Sequence, residues 1–347
     1  MSDIQATVII PTHTRPGKIR ACIRLLGQQS IPAEHIQVLV GVDGQEVCPT
    51  LREFWAGPSE NLVIDTAPHA GQAAVRNRLI PKAKARTLIF LNDDMRPEPT
   101  LVEAHLKAHE KYSTPDYPAI VLGDAPWVTT QHDRMFDRLI RESSMIFFYN
   151  RMYEAQDAAE RDWGFRHAWM LNLSIPTHTV RAVGGLTEFP NTYGYEDDEL
   201  AYRIIERFGA PVRFAPEAVA WHDHRYEPLE YLAREYRLGY AALGFAQTAP
   251  ACARSMFGRD LLTPEERAYT EAFVLREENT ARAALTAFKS LTDMPADFAQ
   301  GPFSKELIEV CYSQHLPLKR WSWRSGFLDA LMGAGEAADT PRLKLAA

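Results

Sequence analysis

Apolar runs of strand length recur through the first two thirds of the chain, most of them followed by a polar turn and then by apolar residues at helical spacing. Thr7-Val8-Ile9-Ile10 runs into the loop Pro11-Thr12-His13-Thr14-Arg15-Pro16, after which Ile19, Cys22, Ile23 and Leu26 mark one helical face. Val38-Leu39-Val40-Gly41-Val42 ends at Asp43-Gly44, and Leu62-Val63-Ile64 precedes a helix expected over Ala70 to Ile80. Arg76 and Arg78 in that helix cannot both face a core, so at least one meets solvent or an anion. Thr87-Leu88-Ile89-Phe90-Leu91 reads as a buried strand that stops at Asn92-Asp93-Asp94, where Pro97 and Pro99 forbid simple continuation.

Strands alternating with helices predict an α/β fold with a mainly parallel sheet, whose strand ends carry Thr12, Asp43 and Asp93 on one rim. Ligands of open α/β sheets bind outside the carboxyl ends of strands, so the adjacent acids Asp93 and Asp94 stand where a site belongs. Acidic oxygens suit Mg²⁺ or Mn²⁺, above all when a diphosphate completes the coordination. A second reading has the pair capping the next helix, which is expected to begin near Pro99-Thr100. Asp43 also has two readings, as a turn residue or as a ligand residue.

Farther on, Ala119 to Gly123 is apolar, and residues 126 to 166 are rich in aromatics and charge. Trp127, Phe136, Phe147, Phe148, Tyr149, Tyr153 and Trp163 either line a binding cleft or form the core of two short helices. Ala168 to Ile175 reads as a strand and Val183-Gly184-Gly185-Leu186 as a tight turn. Tyr193-Gly194-Tyr195 then leads into Glu196-Asp197-Asp198-Glu199 and a helix with Leu200, Ile204 and Phe208 on one face. The helix dipole accounts for one or two acids in a first turn; four repel one another and call for water, a cation or a substrate.

Ala218-Val219-Ala220-Trp221 is a strand ending in His222-Asp223-His224. Alternate strand residues share a face, so both histidines can reach one ion while Asp223 points away; a solvated turn is the other reading. From Tyr226 the pattern is helical, with Leu229, Leu232, Tyr236 and Leu243 at amphipathic spacing and Pro264 to Leu291 rich in Ala, Glu and Arg. Leu318-Lys319-Arg320-Trp321-Ser322-Trp323-Arg324 reads either as a surface for a membrane, an anionic acceptor or a partner subunit, or as tryptophans packed on a helix with arginines in water. Gly333 to Ala347 reads as a frayed tail.

With 347 residues the chain can hold two domains, or one with an extension, around a sizeable core. A net charge of −7 and a pI near 5.9 argue against a nucleic-acid partner. Cys22, Cys48, Cys252 and Cys311 show no CxxC or zinc spacing, which fits reduced thiols. Met1-Ser2-Asp3-Ile4-Gln5 lacks a charged leader, and no apolar run approaches about 18 residues, so a cytoplasmic location is expected. Gly17-Lys18 fails the phosphate-loop pattern and no GxGxxG follows the first strand. Asn172-Leu173-Ser174 matches a glycosylation sequon inside an apolar segment, where chance explains it better.

The order Ile-Pro-Thr-x-x-Arg-Pro, Val-Asp-Gly, Gly-x-Ala-x-x-Arg-Asn and Asn-Asp-Asp resembles the family 2 glycosyltransferases of GT-A fold, over residues 6 to 225. The resemblance implies a GT-A domain over 1–225 that binds a nucleotide sugar and catalyses transfer. It leaves 226–347 as a helical C-terminal extension for acceptor binding, oligomerisation or partner contact. On the matching positions it implies Pro11, Thr12, His13, Arg15 and Asp43 at the nucleobase and ribose, Arg76 near the base or phosphates, and Asn92 and Asp93 at the donor. Asp94, the last acid of the pair, would bind the metal, Mn²⁺ or Mg²⁺, with a late-strand histidine, His222 ahead of His224. Asn92 departs from the family's Asp-x-Asp and does not replace its first acid electrostatically. The Gly-x-Glu-Asp segment would supply Glu196 to bind the acceptor and Asp197 as general base, with Asp198 the alternative base. The aromatics of 126 to 166 keep both readings, the floor of a sugar-binding cleft or the core of two short helices.

The expected function is a metal-dependent, inverting glycosyltransferase moving a sugar from a nucleoside-diphosphate sugar, UDP-sugar foremost, to an acceptor hydroxyl. The acceptor stays open among glycan, lipid-linked, peptide and small-molecule classes, as do peripheral membrane contact and a homo-oligomer through the helical region. A nucleotidyltransferase is the rival enzyme, but it calls for a glycine-rich basic loop after the first strand, and Pro11 to Arg15 is poor in glycine. A non-catalytic GT-A-like binding or scaffold protein is the other rival, against which stand the intact acids of both motifs.

Overall fold

The computed structural model describes residues 4–45, 48, 50–190 and 193–334; the end of the expected tail, 335–347, lies outside them. Strand β1 (Ala6–Thr12) is buried along its length and feeds α1 (Pro16–Leu26). That helix starts on a proline, which needs no N–H donor there, and buries Ile19, Cys22, Ile23 and Leu26 as their spacing requires. Next come β2 (Ile36–Asp43), β3 (Leu62–Ala67), α2 (Gln72–Leu79), β4 (Thr87–Leu91) and the short β5 (Met95–Pro97). They are followed by α3 (Leu101–Tyr112), β6 (Ile120–Asp124), α4 (Met135–Glu142), α5 (Tyr149–Glu154), β7 (Asn172–Pro176) and α6 (Thr177–Ala182). Then come α7 (Glu196–Phe208) and β8 (Val212–His222). The rest of the described chain is helical: α8 (Pro228–Thr248), α9 (Pro250–Phe257), α10 (Pro264–Thr292) and α11 (Ser304–Leu331). No helix among the described residues is long and apolar enough to cross a membrane.

The chain divides into two compact units. The first, Met1–Val128 with Arg151–Glu188 and Glu196–His224, holds one eight-stranded sheet in the order β3-β2-β1-β4-β7-β6-β8-β5. Its strands β3, β2, β1 and β4 are mutually parallel, as are β6 and β8. β7 runs antiparallel to both neighbours, so the sheet is mixed, and Leu91 at the end of β4 lies opposite Asn172 at the start of β7. The strand expected over 168 to 175 begins only at Asn172, because that pairing begins there; residues 169–171 are buried but turn before it.

Asp93 and Asp94 do not cap the following helix, since α3 starts at Leu101 and Thr100 makes no side-chain cap. Arg76 is buried, whereas Arg78 turns outward to Asp65 Oδ1 at 3.2 Å. Asn172 of the sequon is fully buried, its amide donating to the carbonyls of Asp124 and Ala218, both at 2.8 Å.

The second unit comprises Thr129–Asn150, Phe189–Tyr195 and Arg225–Ala347 and is built on α8, α10 and α11. Reciprocal hydrogen bonds between Glu227 and Glu230 open α8, and the Thr263 hydroxyl accepts the Glu266 N–H at the start of α10. The basic and aromatic stretch on α11 is mostly interior rather than a membrane-facing surface. Trp321 is 1% exposed and donates to Val274 O, and Arg324, 8% exposed, donates to Glu266 and Thr270. Burial wins because the helix turns Leu318, Trp321 and Arg324 into the same core while leaving Arg320 outside. Of the aromatics in 126 to 166, Trp127, Phe136 and Tyr149 are core residues, and Tyr153 is 55% exposed.

Candidate active site

The loop after β1 folds over the acidic pair at the end of β4. Thr12 Oγ1 donates to Asp93 Oδ2 at 2.7 Å, and Arg15 spans both acids, with Nη2 2.7 Å from Asp93 Oδ1 and Nη1 on Asp94 Oδ2. A guanidinium carries parallel donors that match two neighbouring carboxylates. Pro11 precedes them inside β1, paired with Gly41. Burial lifts the Asp93 carboxyl to about 6, with Arg15 opposing and Asp94 reinforcing the rise. For Asp94 burial pulls the same way, but His222, His224 and Arg15 outweigh it and hold the group well below the usual carboxylate range.

His222, the last residue of β8, and His224, two residues beyond it, reach the same oxygen. His222 Nε2 is 3.6 Å and His224 Nδ1 3.5 Å from Asp94 Oδ2, while Asp223 points away to Lys18 and Arg96. The ring of Trp127 packs on that of His222 with centroids 4.2 Å apart. Among the described residues no three His, Cys, Asp or Glu side chains form a ready-made metal site. The nearest to one is Asp94 with His222 and His224, where the guanidinium of Arg15 stands in the cation's place. The set nevertheless fits a divalent ion. Ligand atoms sharing an ion at about 2.1 Å lie roughly 3 to 3.5 Å apart, carboxylate plus imidazole suits Mn²⁺, and Asp94 Oδ1 is buried without a hydrogen-bond partner.

A second group lies at the end of β2. The Asp43 carboxylate accepts the N–H groups of Ala70 at 2.7 Å and Gly71 at 3.0 Å, with His69 Nδ1 2.9 Å away. Gly71 takes φ 89°, a left-handed conformation that suits glycine and turns its N–H toward the acid. The His13 ring donates to the Asp43 carbonyl and lies 4.8 Å from the His69 ring. Asp43 thus serves the turn it ends in, its side chain already engaged by backbone.

The third group is the first turn of α7. Asp198 N–H donates to Asp197 Oδ1 at 3.1 Å, and Asp197 also takes a backbone hydrogen bond from Met170. Asp197 is partly exposed yet closely walled; burial raises its pKa, while Arg76 and the backbone donors pull it down, and the net shift is upward. Glu196 and Asp198 are likewise only partly buried. Glu199 is structural, since both its oxygens are taken by Arg203, at 2.6 and 2.8 Å, and one of them also by the Thr187 hydroxyl at 2.8 Å. Arg76 connects this turn to β4, donating through Nη2 to Asn92 Oδ1 at 3.1 Å.

The structure therefore brings Thr12, Arg15, Asp93, Asp94, His222 and His224 together, and joins Asn92 to Arg76 beside Glu196 and Asp197. His13 and Asp43 form their own group with His69 at the end of β2. Sequence reasoning missed His69 and the Arg203 clamp on Glu199. A lone histidine and a helix-interior arginine carry no motif that would have singled them out.

The mixed eight-stranded sheet flanked by helices is a GT-A-like fold. The fold follows that of the mannosyltransferase PcManGT from Pyrobaculum calidifontis, solved with GDP-Man and Mn²⁺, with a TM-score of 0.52 and 17% identity over 96% of this chain and 87% of that one. Residues 7–169 match the model of glycosyl transferase family 2, and over that stretch the chain is similar to the family. A pre-mycofactocin glycosyltransferase from Mycobacterium tuberculosis is 24% identical over 256 residues, 72% of this chain and 49% of that protein. A validoxylamine A glucosyltransferase from Streptomyces hygroscopicus subsp. jinggangensis is 25% identical over 244 residues, 61% of this chain and 54% of that protein. The chain spans about half the length of these curated relatives.

Proposed function

We propose that the chain transfers a sugar, with inversion, from a nucleoside-diphosphate sugar to an acceptor hydroxyl in a metal-dependent reaction. The observation that carries this reading is the approach of His222 and His224 to one oxygen of Asp94, at 3.6 and 3.5 Å. A bound Mn²⁺ or Mg²⁺ held by those three would neutralise the charge of the leaving diphosphate. Arg15, a planar double donor, matches phosphate oxygens as well as it matches carboxylates. Asp197 accepts the proton of the acceptor hydroxyl as its oxygen bonds to the anomeric carbon and the bond to the diphosphate breaks. Burial raises its pKa, which makes it a stronger base than an exposed Asp. Asp198 is the alternative base, and Glu196 binds the acceptor.

UDP-sugars are the first donors to test, and GDP-mannose, present in the P. calidifontis structure, is the second. We assign the acceptor to the helical unit, where a cavity of about 460 Å³ is lined by Arg134, Asp137, Arg225, Tyr226, Glu227 and Asp293. Alternating cations and carboxylates around an aromatic ring suit a polyhydroxylated ligand. Tyr226→Ala should raise the KM for acceptor and leave that for donor unchanged; a change in donor KM alone would refute the assignment.

The decisive test is Asp197→Asn. Transfer should fall by about 10²- to 10⁴-fold while nucleotide affinity, measured by calorimetry, stays the same. Transfer at the unmodified rate would remove Asp197 from the mechanism.

A further inference from the structure

Arg76 is 2% exposed, a burial that arginine tolerates only where its charge is answered. From α2 its Nη2 donates to Asn92 Oδ1 at 3.1 Å, while its Nε–H is buried without an acceptor. The charges that act on it are those of Glu196 and then Asp197. Asn92 is itself fixed by its backbone, whose N–H donates to Leu171 O at 3.3 Å, and Met170, the residue before Leu171, hydrogen-bonds Asp197. The guanidinium is therefore bonded at the end of β4 and lies within electrostatic reach of the first turn of α7. An arginine built to hold phosphates would present its donors to the open rim, as Arg15 does with a side chain 39% exposed.

We propose that Arg76 is a positioning residue, whose buried guanidinium ties the strand end at Asn92 to the Glu196-Asp197 turn and holds the Asp197 carboxylate in place for the acceptor. The inference rests on the reading of Asp197 as base. It also accounts for the amide at position 92. An aspartate there would compete with Asp197 for the same positive charge, whereas asparagine accepts one hydrogen bond and leaves that charge to the acids of α7.

The groups facing Asp197 are Arg76 from α2, its neighbours Glu196 and Asp198 on α7, and a backbone donor from Met170. Arg76 favours the ionised carboxylate and burial opposes it, so removing the guanidinium leaves burial unopposed and Asp197 keeps its proton to higher pH.

The test is the pH profile of kcat/KM for Arg76→Gln, Arg76→Lys and Asn92→Asp, with donor affinity measured by calorimetry. In Arg76→Gln the acid limb should move up by about one pH unit, a roughly tenfold lower rate at any pH on that limb. Arg76→Lys should recover part of the shift, Asn92→Asp should move the limb the same way, and donor Kd should stay within about twofold. An unmoved limb with weakened donor binding would overturn the proposal and give Arg76 to the phosphates. A thermal-unfolding cycle at pH 8 provides a readout free of turnover. Asp197→Asn should offset part of the loss caused by Arg76→Gln, and strictly additive losses would overturn the proposal. Absence of transfer in the unmodified protein would sink the glycosyltransfer reading, while the cycle would still decide the role of the arginine.

Discussion

Asp93 and Asp94 are 1% and 4% exposed, and two ionised carboxylates cannot stand side by side at that burial without a cation. Within the chain that cation is Arg15, joined by the Thr12 hydroxyl on one side and by the two histidines on the other. Arg15 is itself 39% exposed, so water screens much of its charge, and the clamp contributes about 1 to 2 kcal/mol rather than the value of a fully buried pair. Arg15→Ala should therefore lower the thermal midpoint in the presence of a chelator. Mn²⁺ should then raise the midpoint further in the variant than in the unmodified protein, because the ion enters a place the guanidinium no longer fills. Equal shifts on adding Mn²⁺ would show that arginine and ion do not share that place.

Between residue and fold, the elements are held by polar networks that the apolar pattern does not announce. His105 and His109 lie one turn apart on α3, and both face β7. His105 bonds Asn172 Oδ1 at 2.9 Å and Ser174 Oγ at 2.8 Å, and His109 bonds the same Ser174 hydroxyl at 2.8 Å. Burial pushes their pKa values down, to about 4 for His105 and about 3 for His109. As pH falls below about 6.5 the unfolded histidines take up protons that the folded ones refuse, so stability present at neutrality is lost on the way to pH 4. Between pH 7.5 and pH 5 the two together should cost about 4 kcal/mol, read as a lower urea midpoint. A midpoint unchanged over that range would mean that both histidines titrate normally within the fold. In the helical unit α8 and α11 cross backbone to backbone. A Cβ on Gly239 would lie 1.8 Å from Trp323 O, and one on Gly326 2.0 Å from Tyr236 O. Gly239→Ala should separate the helices at a cost of about 2 kcal/mol or more, seen as a fall in the thermal midpoint; an unchanged midpoint would refute so tight a crossing.

At the scale of the whole molecule, what the sequence made legible follows from periodicity. Strands β1, β2 and β4 are apolar runs ended by polar groups, so the rim bearing Thr12, Asp43, Asp93 and Asp94 could be located before any contact was known. His222 and His224 were legible as a pair from the expected strand alternation, although β8 ends at His222 and His224 lies two residues beyond it. Periodicity says nothing about which charges meet across 79 residues, so the Arg15 clamp, the place of Arg76 and the split of the four acids into one structural Glu199 and three partly exposed neighbours stayed hidden. Likewise Arg324 looked solvent-facing because pairing with Glu266 and Thr270 on another helix leaves no local trace. One property of the whole molecule follows from the assembled rim. If nucleotide and ion complete each other's coordination, a nucleotide sugar and Mn²⁺ should stabilise the fold together by more than the sum of their separate effects. At a hundredfold excess over Kd a ligand that binds only the folded state adds about 2.7 kcal/mol, several degrees of thermal midpoint. Each nucleotide sugar should be scanned with Mn²⁺, with chelator and with neither. Coupling confined to one nucleotide class would name the donor base, and purely additive shifts across the panel would mean that Asp94, His222 and His224 do not share an ion with the donor.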